Sequence, residues 1–272
     1  MIYQQYLPSP ALAKYIRCYW SLESTGVSTA ASKDRIFPDG CMELVFHYGD
    51  LYKKYHTEDT AGVQPRSFIH GQLTSFMDIE ATGRTGIFSV RFHPGGLAPF
   101  TAFSLEEVTD IYTSVRNYWG AAGEILEDNI LNASTHNERI AILETFLLKK
   151  LVGMPSYHPA IEYCVHHIAR HHGNVNIDQL AATCNIGRRH LERQFIAGVG
   201  LSPKLLARIT RFQHVLHLIS TGTYRNLTGI AHESGFYDQA HFIRDFRAFT
   251  GFNPRQYFSD NWQLARYLSG EI

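Results

Sequence analysis

Two stretches in the last third of the chain place guanidinium, carboxylate and carboxamide groups at helical spacing. The first is Gly187-Arg188-Arg189-His190-Leu191-Glu192-Arg193, and the second is Asp238-Gln239-Ala240-His241-Phe242-Ile243-Arg244. If Leu191 and Phe195, four residues apart, face a core, then Arg188, Arg189, Glu192 and Arg193 lie on or beside the opposite face. Such a face suits hydrogen bonding to base edges. Arg grips guanine O6 and N7, Glu192 can accept from cytosine N4, Gln239 suits adenine, Ala240 can touch a thymine methyl, and Arg244 suits guanine or a phosphate.

The elements that must position these groups are written twice. One copy runs Leu180-Ala181-x-x-x-Asn185-Ile186-Gly187, then Leu191-x-Arg193-x-Phe195, closing on Gly200-x-x-Pro203. The other runs Ile230-Ala231-x-x-x-Gly235-Phe236, then Phe242-x-Arg244-x-Phe246, closing on Gly251-x-x-Pro254. The leading pairs are 50 residues apart and the later positions 51 apart, so the second copy carries one extra residue in its turn. Each copy reads as two short helices meeting steeply, with Asn185 or Gly235 supplying the positive φ of the turn. Asp238 can cap the second helix of its unit, whereas Gly187 has no capping side chain. The units are expected at about residues 177–199 and 227–250. Between them, Pro203 opens an apolar-periodic run that predicts one linker helix over about 203–220. A rigid helix there would fix the separation of two readers aimed at successive major grooves, with Lys204, Arg208, Arg211 and Arg255 as backbone candidates.

At these residues the chain resembles the AraC/XylS family of transcription regulators, over about residues 158 to 258. The stretch from Ile230 to Arg247, then Thr250-Gly251-Phe252-x-Pro254-x-x-Tyr257, is the most specific part of the likeness. The resemblance implies a seven-helix DNA-binding module with two helix-turn-helix units. It places the base-facing positions at Arg189, Glu192 and Arg193 in the first unit and at Gln239, His241 and Arg244 in the second. The first unit departs from the pattern at Gly187, usually Ser or Thr, and at Asn185, usually Gly.

Charge distribution agrees with that placement. The 272 residues hold 25 basic and 25 acidic side chains, which argues against a general nucleic-acid coat. Residues 158–272 nevertheless hold 12 Lys/Arg against 8 Asp/Glu, and 187–211 hold six basic residues against Glu192 alone. The length suits two domains, expected at 1–154 and 155–272 with a break near Met154-Pro155-Ser156. No run of eighteen apolar residues and no signal pattern occurs, so a cytoplasmic protein is expected. Cys18, Cys41, Cys164 and Cys184 show no C-x-x-C spacing and read as free, buried thiols.

The N-terminal half changes character. Ile16, Cys18, Trp20 and Leu22 alternate with Tyr15, Arg17, Tyr19 and Ser21, predicting a strand with one buried face. Further strands are expected at 43–48, 67–70, 75–81 and 86–92, which suggests a small β-barrel or sandwich. Capping-box spacing at Ser104-x-x-Glu107 and Thr135-x-x-Glu138 predicts helices, with longer ones near 118–131 and 137–151. The fold expected is thus an α+β domain, a small β-barrel plus helices, followed by an all-α domain with two helix-turn-helix units. The phrases from Phe37 to Phe46 and from Val90 to Leu97 resemble the cupin-like N-terminal domains of one branch of AraC-type regulators. That resemblance implies a sensor or dimerisation domain without naming an effector.

Metal chemistry was weighed for two groups. Glu43, His47, His70 and His93 lack the spacing of a cupin ligand set, and His93 sits in the turn sequence His-Pro-Gly-Gly. In the cluster Cys164, His166, His167, His171 and His172, the pair His167 and His171 has ligand spacing but no third partner, so a helix-end role is expected. His214 and His217 read as surface or phosphate-side residues. No metal, cofactor or catalytic residue is expected. The expectation is a non-enzymatic, sequence-specific transcription regulator that binds double-stranded DNA. It is open to a small-molecule effector, a homodimer and, if an activator, RNA polymerase. The rival is a DNA-repair-type or metal-dependent enzyme carrying a DNA-binding module, for which Cys18 beside Arg17 is the candidate thiol.

Overall fold

The computed structural model describes residues 1–24, 33–55, 60–151, 159–221 and 227–257. The expected domain break at 154/155 lies outside the described residues. Ten strands come first: β1 (Ile2–Tyr6), β2 (Ile16–Glu23), β3 (Lys33–Ile36), β4 (Glu43–His47), β5 (Tyr52–Tyr55), β6 (Ala61–Val63), β7 (Ser67–His70), β8 (Met77–Ala81), β9 (Gly86–Phe92) and β10 (Tyr112–Ser114). Helices follow: α1 (Val115–Trp119), α2 (Ala121–Asn132), α3 (His136–Leu151), α4 (Pro159–Arg170), α5 (Ile177–Thr183), α6 (Arg188–Val199), α7 (Pro203–Ser220), α8 (Leu227–Glu233), α9 (Gln239–Thr250) and α10 (Pro254–Tyr257).

The strands make two antiparallel sheets, ordered β1-β2-β9-β4-β7-β10 and β3-β8-β5-β6. This corrects the expected barrel: among the described residues no ladder joins the sheets, and each keeps its own edge strands. Their inner faces meet in one apolar cluster, with Trp20, Val45, Phe68 and Ile87 from the large sheet against Tyr52, Met77 and Ile79 from the small one. The arrangement is an open sandwich.

The alternation in β2 holds from Cys18 to Leu22, but a register shift between Ile16 and Cys18 puts Ile16 on the face of Tyr19, and the expectation of a single buried face is not met. Cys18, Trp20 and Leu22 face the small sheet, while Tyr19 joins Leu44, Phe46, Phe88 and Val90 under Leu126, Ile130, Leu143 and Leu147 of α2 and α3. Helices cover the outer face of the large sheet, so both faces are buried and all seven residues of β9 are out of water. The helix expected over 118–131 is broken at Gly120, whose φ of 60° and ψ of −140° suit glycine and separate α1 from α2. The capping box before α3 forms: Glu138 N donates to Thr135 Oγ1, and Thr135 N donates to Glu138 Oε2, each at 3.2 Å. At Ser104 it does not. The serine side chain accepts no capping bond, and Leu105–Val108 is a single 3-10 turn.

The helical module is fastened to the small sheet at the end of β3. Arg35 holds Asp78 through two bonds of 2.6 and 2.7 Å and donates to Thr250 O at 3.0 Å. Phe37 leaves the sandwich for the core of the module, edge-on to Phe212 at 6.0 Å. Gln213 of α7 then donates to Pro38 O at 2.6 Å. Burial of one Phe is worth about 1.5–3 kcal/mol, similar to the charged bond of Arg35 at about 1.5–3 kcal/mol and more than the neutral bond of Gln213 at about 0.5–1.5 kcal/mol, so Phe37 and Arg35 are the main anchors.

Two imidazoles between the sheets give stability a pH dependence. Burial pushes His47 down to about 4 and His70 down to about 3, so both are neutral at pH 7. The unfolded chain, with ordinary histidines near 6.5, takes up protons that the folded chain refuses, so stability falls as pH drops below that value. Acidification from pH 7 to pH 5 should cost about 2 kcal/mol per imidazole. Urea unfolding of the full chain at the two pH values measures this, and His70→Asn should show a smaller loss. An unchanged pH dependence in that variant would mean His70 is not held neutral.

Candidate nucleic-acid interface

Both units are built on the same turn. In the first, Ile186 N bonds Ala181 O at 3.1 Å and Asn185 N bonds Ala182 O at 3.0 Å, with Asn185 at φ 53°. In the second, Phe236 N bonds Ala231 O and Gly235 N bonds His232 O, both at 3.0 Å, with Gly235 at φ 72°. This is the paired 6→1 and 5→2 closure of a helix ending in a left-handed residue, which satisfies the last carbonyls and turns the chain toward the next helix. The residue added to the second copy is Tyr237, which stands between Phe236 and the cap Asp238 and is 94% exposed.

Leu191 and Phe195 of α6 are fully buried, so Arg188, Arg189, His190 and Arg193 stand exposed on the other face, with Glu192 half-buried beside them. Arg188 is bound to Asp178 of α5 at 2.9 Å and to Glu192 at 3.1 Å, and Arg193 shares a 3.1 Å contact with His190. These pairs are open to water and of the kind worth about 0–1 kcal/mol, so a nucleic acid can displace them. In α9, Phe242 and Phe246 are buried and Gln239, Ala240 and Arg244 are exposed. His241 is half-buried, its Nε2 3.6 Å from Asp245.

Lys204, Arg208 and Arg211, expected along the phosphate backbone, have different surroundings. Lys204 is exposed. Arg208 grips the buried Asp245 at 2.8 and 3.3 Å and lies over Phe249. Arg211 donates to Gly173 O at 3.0 Å against the ring of Phe236, and burial holds its pKa below the usual value. Both arginines brace the module from within. The side chain of Arg255 lies outside the described residues. Arg188, Lys204, Arg208, Arg211 and His241 still border one open groove of about 610 Å3, together with Asn176 and Asp178 at the start of α5. Sequence reasoning missed Asp178, Asn176 and Tyr237. The extra residue in the turn of the second copy was the available signal for Tyr237.

Residues 180–260 match the family described as "Helix-turn-helix domain". The C-terminal module thus carries a helix-turn-helix domain. Residues 4–114 match a second family, "Domain of unknown function (DUF6597)". Among curated proteins, the chain is similar to the uncharacterized HTH-type transcriptional regulators SAS0078 and SAR0107 of Staphylococcus aureus, with 30% identity over 89 residues. That match covers 33% of this chain and 12% of the relatives' length. Among solved structures, ToxT of Vibrio cholerae is similar at a TM-score of 0.47 and 10% identity, over 88% of this chain and 98% of that one. The AraC-like transcriptional activator CuxR is similar at a TM-score of 0.32 and 14% identity, over 80% and 86%.

Of the residues with metal-ligand chemistry, Glu43, His47 and His70 border one cavity, and His93, His172, His214 and His217 border a neighbouring cleft. His167 and His171 stack at 4.0 Å, as do His172 and His214. Among the described residues no group of three or more His, Cys, Asp or Glu is placed to hold a metal ion.

The helix-turn-helix module has unequal caps. Asp238 accepts from His241 N at 2.6 Å, while Gly187 offers α6 no side-chain acceptor. Asp238→Ala should destabilise the module by about 1 kcal/mol, and Gly187→Ser should stabilise it by a few tenths of a kcal/mol. Hydrogen exchange at the first turns of α6 and α9 reads both, and faster exchange in α6 than in α9 of the parent protein is expected. The reverse order would show that packing, not capping, governs these helix ends.

Proposed function

We propose that this chain is a sequence-specific DNA-binding transcription regulator whose N-terminal sandwich senses a small molecule. The observation that carries the reading is the repeated turn. Two identical helix closures, joined by the single helix α7, each present an uncovered polar face on the following helix. Arg188, Arg189, Glu192 and Arg193 read one major-groove segment, and Gln239, Ala240, His241 and Arg244 read the next. Lys204 and the phenol of Tyr237 take phosphates, while Arg208 and Arg211 act by bracing the readers. Domains divided near 154/155, a homodimer, contact with RNA polymerase by an activator and a cytoplasmic location complete the proposal.

The enzyme alternative needs an activated thiolate. Burial instead raises the pKa of Cys18, pushes Cys41 up to about 12 and does the same to Cys164. Thiols held protonated by burial favour the regulator.

Selection from random DNA duplexes at near-physiological salt should recover two short blocks about one helical turn apart. On that operator, Arg189→Ala should cost about 1–3 kcal/mol at one base position only, and Lys204→Ala should weaken all sequences and reduce the salt slope by about 1. Arg208→Ala should lower the stability of the module more than it lowers the salt slope. Retention of DNA without any enriched sequence would reduce the function to electrostatic binding.

A further inference from the structure

Between the two sheets lies a cavity of about 90 Å3, walled by Val45, Phe68, Leu73, Met77 and Ile79 and closed on the helical side by Gln213 and Leu216 of α7. Three deeply buried polar atoms on its lining residues have no partner among the described residues: Trp20 Nε1, His47 Nδ1 and His70 Nε2. Native interiors leave few such atoms, and three around one void mark a place where a ligand completes the bonding.

The network assigns their roles. Gln64 Nε2 donates to Tyr112 Oη at 2.9 Å, so Gln64 Oε1 is the acceptor facing His47 Nε2 at 3.0 Å. His47 therefore carries its proton on Nε2, and its Nδ1 is a bare acceptor. Trp20 Nε1 can only donate. A hydroxyl group, which both donates and accepts, answers Trp20 and His47, whereas His70, four residues along the β4–β7 ladder from His47, lies beyond its reach.

Charge narrows the class. The cation on the lining, Arg91, is deeply buried and bound to Glu43 at 2.7 Å, with Asp39 at 3.7 Å. Burial works against its charge, but the two carboxylates hold its pKa above the usual value. Arg17 lies beyond Asp39, on the neighbouring cleft that also holds His93 and His214. The cavity itself thus offers one committed cation and two carboxylates. An anionic ligand would meet Asp39 and Glu43 with no uncommitted cation on the lining, and a cationic ligand would displace Arg91 from a pair that must stay intact in a medium without water.

We propose that this cavity binds an uncharged, mainly apolar small molecule of about one aromatic ring, held by a hydroxyl between Trp20 and His47 and resting against Leu216 of the linker helix. The proposal rests on the effector reading above and assigns that effector its chemical class and its point of action. A cavity near 150 Å3 accommodates benzene, so a single ring fills this smaller one only by pressing on its walls. One of those walls is α7, the helix that joins the two helix-turn-helix units. Gln213 is poised to report the pressure, since it lines the cavity and holds Pro38 O at 2.6 Å.

The test titrates the full chain at pH 7.5 with phenol, benzoate and benzylamine, followed by calorimetry, and repeats the titration with Val45→Phe, Ile79→Phe and Trp20→Phe. Phenol should bind saturably at one site, with benzoate and benzylamine at least tenfold weaker. Either cavity-filling variant that retains its circular dichroism should lose phenol binding, and Trp20→Phe should weaken it about tenfold. Tighter binding of benzoate or benzylamine overturns the assigned class. Saturation by none of the three, or undiminished phenol binding in a folded cavity-filling variant, overturns the site. Operator affinity with and without phenol separates the two readings. Phenol uptake that leaves DNA affinity unchanged removes the effector role and leaves the site, whereas selective DNA binding with no phenol uptake removes the site and leaves the regulator.

Discussion

The rest of the structure depends on the contact between two glycines and the N-terminal domain. Gly200 and Gly251 end α6 and α9 in the left-handed conformation, and each is also a point of closest approach to the sandwich. A Cβ on Gly200 would lie 2.7 Å from Met42, and one on Gly251 would lie 2.7 Å from Phe76 and 2.8 Å from Arg35. Thr109 Oγ1 donates to Gly200 O at 2.8 Å as Arg35 donates to Thr250 O at 3.0 Å. The closing residue of each repeat is therefore both a helix cap and a docking point. The two readers are located by the sandwich as well as by the helix between them.

That double attachment gives the small sheet an unusual share in the module. β3 begins between-sheet packing, yet Phe37 just beyond it belongs to the helical core, and Asp39 two residues later lines the cavity. Residues 35 to 40 thus touch Thr250, Phe212, Gln213 and Leu206 in turn. A displacement of this segment by a fraction of an ångström has no soft place to dissipate, because both ends are close-packed. Coupling between the sandwich and the readers is a consequence of that packing.

Polar groups are used differently in the two halves. On the exposed face of α6, charges pair with one another in open water, where such pairs are weak. Inside the sandwich, Arg91 with Glu43, and His47 with Gln64 and Tyr112, are networks out of water, where an unfinished bond is expensive. Arg208 and Arg211 belong with the second kind although their sequence context looked like the first. Spacing located them on α7 but could not show that Asp245, 37 residues away, and Gly173 O, 38 residues away, would claim them.

The sequence by itself determined the helical repeat, because a positive-φ residue, an i, i+4 apolar pair and a closing glycine are local demands that each copy meets with its own residues. Asn185, Gly235, Asp238 and Thr135 with Glu138 act where local chemistry placed them. Strands β2, β4, β7, β8 and β9 were legible from alternation and turn residues, while β1, β3, β5, β6 and β10, short or polar, were not. Only the tertiary structure decided that the strands form two sheets rather than a barrel, that helices cover the second face of β2, and that Ser104 caps nothing. It alone brought Trp20, His47 and His70 around one cavity beneath α7. Those outcomes depend on pairings between residues far apart in the chain, and a period of two or 3.6 says which face a side chain takes but not what arrives to cover it.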